Sequence, residues 1–207
     1  MLWLIPSGLK SSKLNVMQNI EHIGQLMTPR TWHMNQLADY PLKWGADNYC
    51  FTGKFNREKF LAWLELAKPY QSRCLFVACP DVVCDPIITC KQYEEWYPMI
   101  KSLGYSPALV LQDGIQSNQI DWDNTPVVFV GGSTSWKLSQ DVIRLLVEAG
   151  DKGKWRHIGR INSITRIKHF WNYADSFDGT DYVYHPAECV KKYLPIIRGR
   201  KLQYSFN

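Results

Sequence analysis

Tyr173-Ala-Asp-Ser-Phe-Asp-Gly-Thr180 is a short apolar run that stops on a carboxylate. Ser176-Phe177 reads as the end of a buried strand, and Asp178 stands where the apolar run stops. Gly179 then lets the backbone turn sharply behind it. Four other segments share this grammar: Trp44-Gly-Ala-Asp47, Leu75-Phe-Val-Ala-Cys-Pro-Asp81, Ala108-Leu-Val-Leu-Gln112 and Val127-Val-Phe-Val-Gly-Gly132. Each closes on a polar side chain or on bare glycine backbone. Several strand tips of this kind are best accommodated around one shared pocket.

Between the strands lie helix signals. Asn56 is placed to cap a helix over residues 57–67, and Asp85-Pro86 opens one that runs to about Leu103, where Gly104 closes it. Ser139 or Gln140 begins a helix over 141–150, Ser163 caps another reaching about Tyr173, and His185-Pro186 starts a last one ending near Tyr193. Leu14, Met17, Ile20, Ile23 and Met27 recur at nearly helical spacing and predict a helix over 13–27. Residues 32–43 fit a short strand or a loop. Met1-Leu-Trp-Leu-Ile-Pro6 reads as a first strand, being too short for a signal peptide and lacking a basic start. Residues 73–81 and 155–159 supply further strands.

Strands alternating with helices at this spacing argue for parallel βαβ units. A compact (β/α)8 TIM-like barrel fits best, as a single domain over residues 1–207 with irregular N-terminal strands and a basic tail from 194 to 207. Its working groups belong at the C-terminal strand ends. An open doubly wound sheet is the rival at this length. No G-x-G-x-x-G or Walker loop is present, which weakens nucleotide-cofactor folds.

Composition narrows the class. With 45% hydrophobic and 21% charged residues, the chain is an ordinary globular sequence rather than a disordered or collagen-like one. No apolar run is long enough for a transmembrane helix, so no membrane partner is expected. Six cysteines form no C-x-x-C pair, and a reduced, cytoplasmic chain with buried thiols is the expectation. A net charge of +5 suits a polyanionic partner.

A carboxylate in a closed pocket can serve as nucleophile, acid or base, and two in different surroundings can divide those tasks. Asp178 and Asp47 are the candidates. Asp81, Gln112, Gly131 and Gly132 would form a planar donor–acceptor set suited to a heterocycle such as guanine. Phe51, four residues after Asp47, is placed to stack on a flat ring. Taken singly, each has a plainer reading. A strand-end Asp also serves as a cap or turn former, Gly131-Gly132 as a turn, and Phe51 as core.

Taken in order, the series resembles the guanine-exchanging transglycosylases, the tRNA-guanine transglycosylases and their phage and bacterial relatives that modify DNA guanine. The resemblance runs from about residue 44 to 180, through Asp47 with its aromatic Phe51, Asp81, Val110-Leu-Gln112-Asp-Gly114, Val130-Gly131-Gly132, Ile158-Gly159 and Asp175-Ser-Phe-Asp178. It implies base binding by Phe51, Asp81, Gln112, Gly131, Gly132, Ile158 and Gly159. It further implies a nucleophilic Asp178 and proton transfer by Asp47.

The implied reaction replaces guanine by a 7-deazaguanine base such as preQ0 or preQ1 through a covalent Asp glycosyl-enzyme intermediate, without a cofactor. The zinc motif of the tRNA enzymes is missing, with only His185 and Cys189 downstream, so no metal is expected. Tyr49-Cys50 stands where the family carries Gly-Gly. The short chain favours DNA over tRNA as partner. Arg160, Lys154, Arg156 and Arg166 are the candidate phosphate contacts, against a plainer reading as solvated surface. A silent nucleic-acid-binding or partner subunit of the same fold and a base-excising hydrolase remain as alternatives.

Overall fold

Eight parallel strands follow one another around a ring in sequence order, and the last pairs with the first. The computed structural model describes residues 1–6, 19–30 and 34–199, apart from the side chains of residues 34–36 and 183. Its strands are β1 Leu2–Pro6, β2 Ile23–Met27, β3 Trp44–Ala46, β4 Cys74–Ala78, β5 Pro107–Leu111, β6 Val127–Val130, β7 Trp155–Ile158 and β8 Ser176–Asp178. The α-helices are α1 Met34–Asp39, α2 Arg57–Leu66, α3 Pro86–Ser102, α4 Thr134–Lys137, α5 Gln140–Asp151, α6 Ile164–His169, α7 Asp181–Tyr184 and α8 Pro186–Arg198. This is a (β/α)8 barrel. The β1–β8 pairing excludes the open doubly wound sheet.

Capping residues start these helices where the sequence places them, although the helix after Ser163 ends at His169 and does not reach Tyr173. The side chains of Asn56, Asp85, Ser139 and Ser163 accept from the backbone N–H groups of Lys59, Ile88, Val142 and Arg166 respectively. Three further expectations need correction. Residues 23–27 form β2, not the end of a helix. All five are buried, and a strand covered on both faces loses its alternation, so Ile23 and Met27 fall by chance at helical spacing. Residues 13–18 lie outside the described part. The ambiguous stretch 32–43 contains helix α1, and α8 runs past Tyr193 to Arg198 because Leu194 and Ile197 continue its buried stripe.

Strand parity sets what each side chain meets. Leu2, Leu4, Leu26, Phe76, Ala78, Ala108, Val110, Val127 and Phe129 face the barrel axis and form one cluster. Their strand neighbours Trp3, Val77, Leu109, Val128, Ile158 and Phe177 face outward, onto Phe60, Trp63, Trp96 and Leu146 of the helices. His157 faces inward, its ring centroid 4.8 Å from that of Phe76 and 4.5 Å from that of Phe129. Gly45 leaves room for this layer, since a Cβ there would stand 2.6 Å from the Phe76 ring.

Phe76 therefore plugs the axis. Phe76→Ala should lower unfolding free energy by about 3–5 kcal/mol, read from urea denaturation.

Candidate active site

At the upper rim the inward parity of the strands carries on for one more position. Val110 leads to Gln112, Phe129 to Gly131, His157 to Gly159 and Ser176 to Asp178, while Gly45 leads to Asp47 and Leu26 to Thr28. The hydrophobic axis thus ends in a polar crown. A cavity of about 260 Å³ opens there, lined by Asp47, Phe51, Asp81, Gln112, Gly131, Gly132, Gly159, Arg160 and Asp178 over an apolar floor of Leu26, Ala78, Val110 and Phe129.

Asp178 sits at the end of a directed hydrogen-bond chain. Trp155 Nε1–H donates to Ser176 Oγ at 2.9 Å. The carboxylate of Asp178 only accepts, so a neutral His157 holds its proton on Nε2 and leaves Nδ1 to accept from the Ser176 hydroxyl, 2.8 Å away. His157 then carries its proton on Nε2 and donates to Asp178 Oδ2 at 3.0 Å. Burial lowers the His157 pKa, against the pull of Asp178, which keeps the ring neutral. The other carboxylate oxygen accepts from the Arg160 backbone N–H at 3.2 Å. Both oxygens are thus oriented, and Asp178, 5% exposed, lines the cavity.

Across the cavity, Asp81 is clamped by two amides. Asn48 Nδ2 donates to its Oδ1 at 2.7 Å and Gln112 Nε2 to its Oδ2 at 2.6 Å. Gln112 Oε1 accepts from the Cys84 backbone N–H at 2.9 Å, which fixes which end of the amide is which. Gly131 allows this close fit, because a Cβ there would meet Gln112 Nε2 at 2.9 Å. Burial raises the Asp81 pKa, opposed by the two amide donors. Asp81 lines the cavity, and a carboxylate that accepts these two bonds keeps lone pairs for further N–H donors.

Asp47 lies in the same wall, held by the Tyr49 backbone N–H at 2.7 Å. Burial pushes its pKa up to about 6, with the charges of Asp178 and Asp81 adding to the rise and the Tyr49 N–H opposing it. Tyr49 takes up φ of 66°, the left-handed turn a glycine would supply more cheaply, at a cost of about 1 kcal/mol. Tyr49 thus makes a tight turn at this point. Phe51 stands at the mouth, 64% exposed, with the Arg160 guanidinium 4.7 Å above its ring. It is not core.

Not every candidate joins the site. Ile158 turns its side chain to the helical layer, because it is out of phase with Gly159. Lys154 and Arg156 lie at the N-terminal end of β7, the opposite end of the barrel from Asp178, and Arg156 is bound to Asp175 through Nε at 3.0 Å. Arg166, on α6, does not line the cavity; Arg160 does, while its guanidinium donates to the Gly132 carbonyl.

Sequence reasoning missed His157, Ser176, Asn48 and Lys137. Parity from Gly159 and Asp178 would have found the first two. Lys137 is 3% exposed and donates from Nζ to the Gly159 carbonyl. Burial, with the Arg160 charge, lowers its pKa to about 8. Among the described residues no three His, Cys, Asp or Glu side chains gather as a metal site, and no helix is long and apolar enough to cross a membrane.

The raised pKa of Asp47 has a sign that can be checked. A carboxyl that is more basic folded than unfolded supports folding fully below about 3.8, and that support is lost as pH rises through about 6. Asp47→Asn should therefore gain stability relative to the parent between pH 4 and pH 8, by about 1–2 kcal/mol after allowance for partial exposure, in urea titrations at both pH values.

No protein-family model and no curated protein matches the chain. Among solved structures, a ligand-free tryptophan synthase from M. tuberculosis aligns over 96% of this chain and 89% of its own, at 12% identity and a TM-score of 0.46. An aminoacrylate-bound form of the same enzyme aligns over 96% and 88%, at 11% identity and the same TM-score. Overlap at that level carries no argument about chemistry.

Proposed function

We propose that this barrel exchanges guanine in a nucleic acid, DNA in preference to tRNA, for a 7-deazaguanine base, with Asp178 as nucleophile. The observation that carries this reading is the single cavity holding an oriented carboxylate, Asp178, opposite an amide-clamped carboxylate, Asp81. One suits a sugar carbon and the other a purine edge with adjacent N–H groups. Gly131, Gly132 and Gly159 let backbone approach the base, and Phe51 covers it at the mouth.

In the first step an Asp178 oxygen attacks C1′, and the C1′–N9 electron pair departs with guanine. Protonated Asp47 gives its proton to the leaving base, and a glycosyl ester remains on Asp178. In the second step the incoming base loses its N9 proton to the Asp47 carboxylate, N9 attacks C1′, and the ester oxygen leaves. Two displacements at one carbon retain configuration. A group poised near pKa 6 suits such a shuttle, since it can both give and take a proton near neutrality. His157 is a positioning residue: it touches Asp178, not the substrate. The base must leave the duplex stack first, at about a few kcal/mol.

The pairing of Asp178 with a second carboxyl, Asp47, poised near pKa 6 in the same cavity favours a reacting site over a silent binding module, since binding alone calls for no proton shuttle. Water in place of the incoming base would give the hydrolase outcome.

Incorporation of labelled guanine into guanine-containing DNA tests the reading. The parent chain should incorporate label, and Asp178→Asn should abolish incorporation. His157→Phe should lower kcat by about 10²-fold with KM little changed, as expected of a misaimed nucleophile. Guanine released without incorporation would identify the hydrolase, and no turnover by the parent would remove the proposal.

A further inference from the structure

A second depression adjoins the base cavity, and Asn48 and Tyr49 line both. Its remaining wall is Pro29, Arg30, Lys54, Phe55, Asn56 and Lys59, enclosing about 450 Å³. Three of these side chains are cationic, and none of the ion pairs among the described residues involves Arg30, Lys54 or Lys59. Arg30 donates to the Tyr49 hydroxyl at 3.0 Å, and both Arg30 and Lys54 draw the phenol pKa down, the hydrogen bond from Arg30 most strongly. Asn56, which also lines the groove, caps the start of the ten-residue helix α2 by accepting from the Lys59 backbone N–H. Like charges brought together without a carboxylate partner repel one another unless an anion lies between them.

We propose that this groove holds the phosphodiester backbone of the nucleic-acid strand beside the nucleotide whose base occupies the cavity. The inference rests on the base-exchange reading for the identity of the strand, and on the groove's charge and position for the contact itself. Arg30 and the two lysines straddle the phosphate, and the wall they share with the base cavity runs through Asn48-Tyr49 to Asp47. The strand is thereby held one residue's width from the proton shuttle. This groove takes over the phosphate-binding part that Lys154 and Arg156, at the far end of the barrel, are not placed to play.

Fluorescence anisotropy with a labelled oligothymidylate, which contains no guanine, separates the groove from the base exchange. The parent chain should bind with a salt-dependent affinity. The triple variant Arg30→Ala, Lys54→Ala, Lys59→Ala should reduce the slope of log K against log salt by about 2, as loss of three single-strand phosphate contacts requires. A control that removes three charges elsewhere, Lys91→Gln, Lys101→Gln, Lys154→Gln, should keep the parental slope. No binding by the parent, an unchanged slope in the groove variant, or an equal fall in the control would overturn the proposal. Failure of guanine incorporation with the groove slope intact would remove the base exchange and leave the groove standing.

Discussion

Eight short strands closed into a ring leave every second side chain facing the barrel axis, and that geometric constraint governs the rest of the molecule. Below the rim the inward positions must be filled, and Phe76, Phe129, Val110 and the leucines of β1 and β2 fill them. Above it the same parity must present something to solvent. Because the strands are parallel, all of their C-terminal tips emerge on one side, and the polar residues that follow them have no choice but to meet. The site is a consequence of closure.

Closure also explains how a carboxylate is kept both buried and useful. His157 enters the axis among aromatic rings, where a charged imidazole would be costly, and it remains there neutral as the third member of a chain that starts on Trp155. A donor-only group at one end and an acceptor-only carboxylate at the other leave the intervening hydroxyl and imidazole a single consistent orientation. Asp178 is thereby aimed by the strand interior beneath it. On the opposite wall the same economy holds for Asp81, whose two oxygens each accept from a different amide.

Much of this is legible in the sequence because strand tips announce themselves as an apolar run that stops on a polar residue or on glycine. Asp47, Asp81, Gln112, Gly131, Gly132 and Asp178 stand out because each ends an apolar run, Gly159 only through the family resemblance, and the structure brings all seven to one cavity. The losses have physical causes. β2 was hidden because a fully buried strand carries no alternation. Ile158 was misassigned because a motif read as a pair ignores that adjacent strand residues face opposite sides. Lys154 and Arg156 were misplaced because charge runs are visible in sequence, whereas the end of the barrel they occupy is not. His157 and Ser176 do not stand out in the sequence because each lies one inward step below a tip, where the sequence does not show which way a polar residue faces.

Intact-protein mass spectrometry after denaturing quench, with a guanine-containing oligonucleotide as substrate, tests the central claim most directly. The account predicts a species heavier by the oligonucleotide less one guanine, with the added mass on the peptide bearing Asp178 after digestion. Turnover of guanine with no protein-bound sugar, or an adduct on any other side chain, would contradict it.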